Sequence, residues 1–451
     1  MRIPQSPPDF LPLLSKLFQS TGEFSRIHRS TAYSATVDGR YVHWDKLRHL
    51  PLPSGIENHQ MWWAIVQLNR LSLFRELPFM DRSGSPFKLA LPDPLLRQLT
   101  EIDRDLSGRV PVPDQLVNSA TRDRFLMSAL IEEAITSSQL EGAATAREVA
   151  REMLRSGRSP RDQHERMIFH NFGAMRFIRS VAEKDLTPEL IFEIHSRITK
   201  DTLDDPRDAG TLRDCDISVE DRLSGVEVHR GPDARCLPLR MTRLCDFAND
   251  KGTKLFIHPL VKAVLLHFFL AYDHPFVDGN GRTARALFYW SMLHSGYRLC
   301  EFLSISHILA KAPSKYSKAY LYTETDQNDV TYFVLDQLTA LQRAIRSLHE
   351  YVRSKVAEME RTQHLMRKAQ SFNHRQLALL SHAIANPDAS YRVTSHANSH
   401  QITRQTARTD LNELVEMQLL WTETIQKAVI FHPFHDIEER LQSVGTKAPP
   451  S

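Results

Sequence analysis

The chain has 451 residues, a net charge of +3, 41% hydrophobic and 25% charged residues, the composition of a folded globular protein long enough for about three domains. So small a charge does not by itself argue for nucleic acid, no apolar run reaches membrane-spanning length, and the N-terminal MRIPQSPPDFLPLLSKLF lacks the basic start and continuous apolar core of a signal peptide. A cytoplasmic protein without a membrane partner is therefore expected, and the four cysteines without C-x-x-C spacing and the lack of H-E-x-x-H predict reduced thiols and no zinc.

Residues 1–115 are rich in proline and aromatic residues, with a cluster YVHWDKLRHLP and a helix predicted around Met61 to Leu71, in which Trp62 and Trp63 read as packing residues. A helical pattern then begins near Asn118, carries FLMSALIEEAI and closes at SSQLEG, residues 137–142. Ser137 and Glu141 are four apart and share a face. Glu141 sits in the last turn before the stop signal Gly142, where the helix dipole disfavours a carboxylate. A glutamate there is ordinarily solvated; the other reading is an external cationic partner. Further on, Ile217 to Val219 and Val226 to Val228 read as a short hairpin around Ser224-Gly225.

Pro259 to Tyr272 (PLVKAVLLHFFLAY) is apolar nearly all round and too long for a strand, which predicts a buried helix with Pro259 in its first turn. Arg282 to Ser295 predicts a second core helix ending at Gly296. Between them stands HPFVDGNGRTAR, residues 274–285. Successive N–H groups of Gly279, Asn280 and Gly281 at a helix start can curl into an anion nest. Arg282 and Arg285, cations in the first turn, oppose the dipole and repel each other unless an anion lies there. Asp278 is a carboxylate placed to hold magnesium beside phosphates, and His274 can take a proton near neutral pH. No strand precedes the glycines, which argues against a Rossmann fingerprint, and no glycine is followed by lysine, so a Walker loop is absent.

From Pro313 to Pro387 no glycine or proline intervenes, and DQLTALQRAIRSLHEYVRSKVAEMERTQHL predicts a long amphipathic connector. Residues 371 to about 433 then read as helix (HRQLALLSHAI), polar segment, helix (ITRQTARTDLNELVEM) and strand pair (LLWTET, AVIFHP). That order resembles a winged helix-turn-helix with Thr403, Arg404, Gln405 and Arg408 on the would-be recognition helix. Five Lys/Arg and five Asp/Glu between Ser371 and Pro433 leave no net charge, which favours protein docking or a homo-oligomeric contact over DNA.

The stretch 274–285 resembles the Fic signature H-x-F-x-[D/E]-G-N-G-R-x-x-R, with every specified position filled: His274, Phe276, Asp278, Gly279, Asn280, Gly281, Arg282 and Arg285. The resemblance implies transfer of AMP from the co-substrate ATP, with Mg2+, to a Ser, Thr or Tyr hydroxyl of a target protein. His274 would be the base, Phe276 a core anchor, Asp278 the metal ligand, Gly279 to Gly281 the anion nest, and Arg282 and Arg285 phosphate clamps. SSQLEG resembles the family's inhibitory motif [S/T]-x-x-x-E-[G/N], which implies that Ser137 and Glu141 belong to an inhibitory helix whose glutamate pairs with Arg285. ERMIFHNFGAM, LTPELIFEIHSRI, RDAGTLRD and YLYTETDQNDVTYF also resemble segments of the family, and the hairpin resembles its flap, whose open edge can hold a target strand.

The expected architecture is mainly α: an N-terminal helical extension (1–115), a Fic-type helical domain with a β-hairpin flap (116–355, inhibitory helix about 119–142), a connector helix (356–370) and a winged helix-like domain (371–436). Two alternatives stay open, a nucleotide-sensing DNA-binding regulator, and a Fic enzyme that transfers another phosphate-containing group or removes AMP.

Overall fold

The computed structural model describes residues 3–19, 34–106, 119–220, 225–252, 255–368, 372–386, 388–400, 402–425 and 428–444. In chain order the elements are α1 (Phe10–Gln19), α2 (Trp44–Leu47), α3 (His59–Leu71), β1 (Phe74–Met80), β2 (Pro86–Ala90), α4 (Asp93–Leu106), α5 (Ser119–Leu140), α6 (Arg147–Ser156), α7 (Gln163–Val181) and α8 (Pro188–Thr199). Then come β3 (Ser218–Glu220), β4 (Glu227–Arg230), α9 (Leu237–Ala248), α10 (Pro259–Asp273), α11 (Asn280–His294), α12 (Ile305–Ala310), α13 (Pro313–Thr325) and α14 (Thr331–Lys368). The chain ends with α15 (His374–Ala385), α16 (Val393–His400), α17 (Arg404–Glu416), β5 (Leu420–Ile425), β6 (Ala428–Pro433) and α18 (Ile437–Val444). It divides into two units, Met1–Leu348 and His349–Ser451. The fold is mainly helical, with three two-stranded hairpins among the described residues.

The apolar run of α10 is buried on every side from Leu260 to Leu270, and α11 is buried equally from Thr283 to Met292. These two helices pack against each other, with α7 and α8 against α11 and α9 against α10. Burial of so many aliphatic and aromatic side chains, each contributing about 1.5–3 kcal/mol, makes this pair the rigid part of the first unit. Helix α10 stops because His274 takes the left-handed conformation (φ 47°, ψ 55°), and α11 starts from Gly279, also left-handed (φ 81°). The motif is thus a short loop clamped between two core helices. Helix α11 begins two residues before its expected start, so Asn280 and Gly281 are part of its first turn.

Trp62 and Trp63 are buried in a separate N-terminal cluster with Trp44 and Leu47. The hairpin β1–β2 was not anticipated in a region read as helical; its turn closes at Gly84 (φ 87°). β3 and β4 pair antiparallel, Val219 opposite His229, close to the expected strands; of the expected turn residues, Gly225 is described and Ser224 lies outside the described residues. In the second unit the segment read as polar contains α16, so α15, α16 and α17 precede the β5–β6 hairpin and enclose a core of Leu380, Leu411, Leu414 and Phe431. No helix among the described residues is long and apolar enough to cross a membrane.

Candidate functional site

The left-handed turn at His274 brings its ring beside the end of α10, where Nδ1 lies 3.3 Å from the Ala271 carbonyl. A carbonyl only accepts, so Nδ1 carries the hydrogen and Nε2 keeps its lone pair. Burial, the dominant cause, lowers the His274 pKa to about 4, so the ring is neutral at physiological pH. The His274 carbonyl accepts from Arg213 Nε (2.8 Å), and the same guanidinium donates to the carbonyls of Cys215 (2.6 Å) and Pro232 (2.7 Å). Arg213 therefore fastens the 274–285 loop to both ends of the segment that carries β3 and β4.

Phe276 is fully buried and stacks on His195 with ring centroids 3.7 Å apart and planes 6° from parallel. Asn280 closes the loop on itself: its Oδ1 accepts from Phe276 N (2.9 Å) and its Nδ2 donates to Phe276 O (2.8 Å). The Asn280 side chain is consequently committed to the loop; what it offers an anion is its backbone N–H. The N–H groups at the start of α11 have no intrahelical acceptor and point out of the helix end. Gly279 lies so close to Thr199 and His195 that a Cβ there would stand 2.6 Å from Thr199 Cγ2.

The two arginines differ. Arg282 is fully buried; among the described residues it donates only a long bond to the Ile198 carbonyl (3.3 Å), and its Nε and Nη2 have no hydrogen-bond partner, with Asp278 Oδ2 3.6 Å away. Arg285 is satisfied from α5: Nε donates to Ser137 Oγ and Nη2 to the Ser137 carbonyl, both 2.9 Å, and Nη2 also to Glu141 Oε1 at 2.8 Å. The Glu141 carboxylate stands over Gly281, where a Cβ would collide with it. Ser137, Glu141, Gly281 and Arg285 are thus brought together.

Asp278 is largely exposed; Oδ1 accepts from Gly279 N at 2.6 Å, and among the described residues Oδ2 has Arg282 alone nearby, at 3.6 Å and beyond hydrogen-bonding distance. One open carboxylate oxygen beside an anion nest fits magnesium, which takes one or two carboxylates and fills its shell with phosphate oxygens and water.

Residues 185–292 match the Fic/DOC family, a span that includes the whole loop and both arginines. The chain carries a Fic domain. A protein adenylyltransferase Fic of Drosophila grimshawi is 27% identical over 205 residues, 45% of this chain and 40% of the relative. That of Nematostella vectensis is 27% identical over 204 residues, 44% of this chain and 45% of the relative. The chain therefore spans less than half the length of these curated relatives. The fold is similar to the crystal structure of a Fic family protein from Desulfovibrio desulfuricans G20, with TM-score 0.54 and 18% identity over 77% of this chain and 97% of that one.

Helix α5 lies outside the matched span, yet it is anchored to the Fic domain. Glu133 Oε2 accepts from Tyr289 OH of α11 (2.9 Å), Ser304 Oγ (3.0 Å) and Ser306 N (3.1 Å). This buried carboxylate holds the C-terminal end of α5 at Arg285. On the flap, His229 of β4 lies 2.7 Å from the Tyr272 carbonyl through Nε2 and 3.0 Å from Glu324 Oε2 through Nδ1. His195, Arg213, Glu133 and His229 were not singled out in the sequence. Only His195 left a local signal, as a lone polar residue on the Ile191, Ile194, Ile198 face of α8.

Proposed function

We propose that the Fic domain transfers AMP from ATP to a Ser, Thr or Tyr hydroxyl of a protein. The observation that carries this reading is the bare Nε2 of a neutral His274 beside the first turn of α11, with two buried arginines behind it. His274 Nε2 takes the hydroxyl proton as the oxygen bonds to the α-phosphorus, and the bond to the bridging oxygen breaks, so pyrophosphate leaves with the electron pair. Negative charge on the phosphates is met by the N–H groups of the α11 start and by Arg282 and Arg285, preorganised in a water-poor site. Asp278 would hold magnesium, which supplies further charge neutralisation on the phosphates.

Glu141 keeps the resting protein slow in this reading. Its carboxylate holds Arg285 and covers Gly281, so ATP has to displace it to seat its terminal phosphate. A hydrogen bond between charged groups is worth about 1.5–3 kcal/mol, roughly tenfold to a hundredfold in the competent population. The test is intact-mass measurement after incubation with ATP and magnesium. Glu141→Gly should gain AMP on itself faster than wild type, and Glu141→Gly with His274→Ala should gain none. Equal rates for Glu141→Gly and wild type, with the fold intact by circular dichroism, would sink the inhibitory role; AMP gained by the double variant would sink His274 as base.

The helix and hairpin order of residues 371–436 supports reading them as a winged helix. The zero net charge of residues 371–433 favours docking of a protein over duplex DNA, and a salt-dependent mobility shift with duplex DNA would reverse that preference.

A further inference from the structure

A cleft of about 670 Å3 lies between residues 37–50, the start of α4, and the helices α13 and α14. No residue of the His274 site lines it. Four cations converge on it from separate parts of the chain: Arg40 and Lys46 from the N-terminal segment, Lys315 and Lys318 from α13. Lys315 is paired with Asp336 (2.6 Å) and Lys318 with Asp45 (3.1 Å), whereas neither Arg40 nor Lys46 has a carboxylate partner among the described residues. The ammonium groups of Lys46 and Lys318 lie 5.5 and 5.3 Å from the centroid of the same ring, Tyr322, which is itself stacked on His43 at 4.4 Å. Burial and then the charges of Lys318 and Lys315 hold the Lys46 ammonium below its usual range.

Surface lysines usually project singly into water, where they repel little. Here two ammonium groups flank one aromatic ring in a concave surface that combines apolar Val42, Leu50, Ala319 and Leu335 with the carboxylates of Asp38 and Asp336, the latter already paired with Lys315. An apolar pocket with a few convergent polar groups is the usual form of a small-molecule site, and unpaired cations in it select an anion. We propose that this cleft is a second ligand site, for a small organic phosphate with a planar body: the phosphate is met by Arg40, Lys46 and Lys318, and the body lies on Tyr322 and Leu335.

The placement of α13 gives such a ligand a route to the Fic site. The helix turns Lys318 and Tyr322 toward the cleft, while Tyr316 lies against Arg285 and bonds His267 (2.8 Å), and Glu324 holds the flap through His229. One helix therefore carries the cleft, a neighbour of Arg285 and the flap anchor.

Pyridoxal 5′-phosphate is a suitable probe, an aromatic phosphate whose aldehyde condenses with a lysine amine, releasing water, to an imine that borohydride reduces to a stable amine. Peptide mapping of the full chain should find the label on Lys46 or Lys318 at about one per chain, with phenyl phosphate protecting, and pyridoxal lacking the phosphate should label these positions roughly tenfold less. Arg285→Ala should leave the labelling unchanged, which separates this site from the nucleotide site. Label scattered over exposed lysines, equal labelling by pyridoxal, lack of protection, or loss of labelling in Arg285→Ala would each overturn the proposal.

Discussion

Glu141 and Arg285 stand 144 residues apart in sequence and 2.8 Å apart in space. Each is unfavourable where it sits, a carboxylate at the end of α5 and a guanidinium near the start of α11, in its second turn, and the contact offsets both. The guanidinium is buried and the carboxylate about one-quarter exposed, so the bond is shielded on one side and reachable by a competing anion on the other. Glu141→Gln tests whether charge or shape does the holding. The amide keeps an acceptor oxygen but forms a neutral-to-charged bond, weaker than the charge-assisted pair. Self-modification with labelled ATP should rise about tenfold, between wild type and Glu141→Gly. A wild-type rate would mean that the carboxylate merely fills space over Gly281.

The 274–285 loop was legible in the sequence because its parts are local: glycines for left-handed and crowded backbone, two arginines near a helix start, and flanking apolar runs too long for strands. The residues alone marked Glu141 and Arg285 as charges at unfavourable helix ends; that they pair was implied by the resemblance of SSQLEG to the Fic inhibitory motif. What escaped was non-local. Hairpin β1–β2 contains Pro78 and an irregular register between Glu76 and Met80, which hides a strand from pattern reading. Helix α16, VTSHANSH, has no apolar stripe and buries only His396 and Ala397. Arg213 works through carbonyl groups, and carbonyls leave no trace in residue identity.

His195 illustrates the same point and yields a second prediction. Its Nδ1 accepts from Gly210 N (2.9 Å), so Nε2 carries the hydrogen and donates to the Asp278 carbonyl (2.8 Å). Burial lowers its pKa to about 4, which keeps the ring in this neutral form. His195→Phe preserves the stack on Phe276 and removes both bonds, leaving a buried N–H and a carbonyl unsatisfied at about 1–3 kcal/mol each. The melting temperature should fall. In the Glu141→Gly background kcat should drop more than KM for ATP rises, because the loop holding Asp278 and His274 loses its register while the arginines stay. A loss of stability with kcat unchanged would confine His195 to packing.

The flap anchor predicts a pH dependence. Both ring nitrogens of His229 face acceptors, the Tyr272 carbonyl and Glu324, and only the protonated ring donates to both. Burial acts to lower its pKa, but the Glu324 hydrogen bond and charge, with the Tyr272 carbonyl and Asp273 behind them, outweigh it and the pKa is raised above 6.5. A raised folded-state pKa means the contribution is fully present below the unfolded value and lost as pH climbs through the folded one. As pH rises above 6.5, hydrogen exchange at β4, corrected for intrinsic rate, should accelerate, and Glu324→Gln should flatten that rise. A protection profile independent of pH in the wild type would remove His229 as a charged anchor.

Arg282 gives the sharpest separation of stability from function. Its side chain is fully buried, with Nε and Nη2 lacking hydrogen-bond partners among the described residues and Asp278 at 3.6 Å. A buried cation so poorly satisfied costs stability, and burial accordingly lowers its pKa. Phosphate oxygens would supply the missing acceptors. Arg282→Met keeps the length and apolar stem while discarding the charge, so the ligand-free protein should melt at or above the wild-type temperature. ATP with magnesium, in the Glu141→Gly background, should stabilise the Arg282 protein by about 2.7 kcal/mol at a hundred times its Kd, and the methionine variant much less at the same concentration. Calorimetric melts with and without nucleotide read both arms. A variant that melts well below wild type yet keeps the full ATP shift would make Arg282 a structural residue and leave phosphate binding to Arg285 and the α11 start.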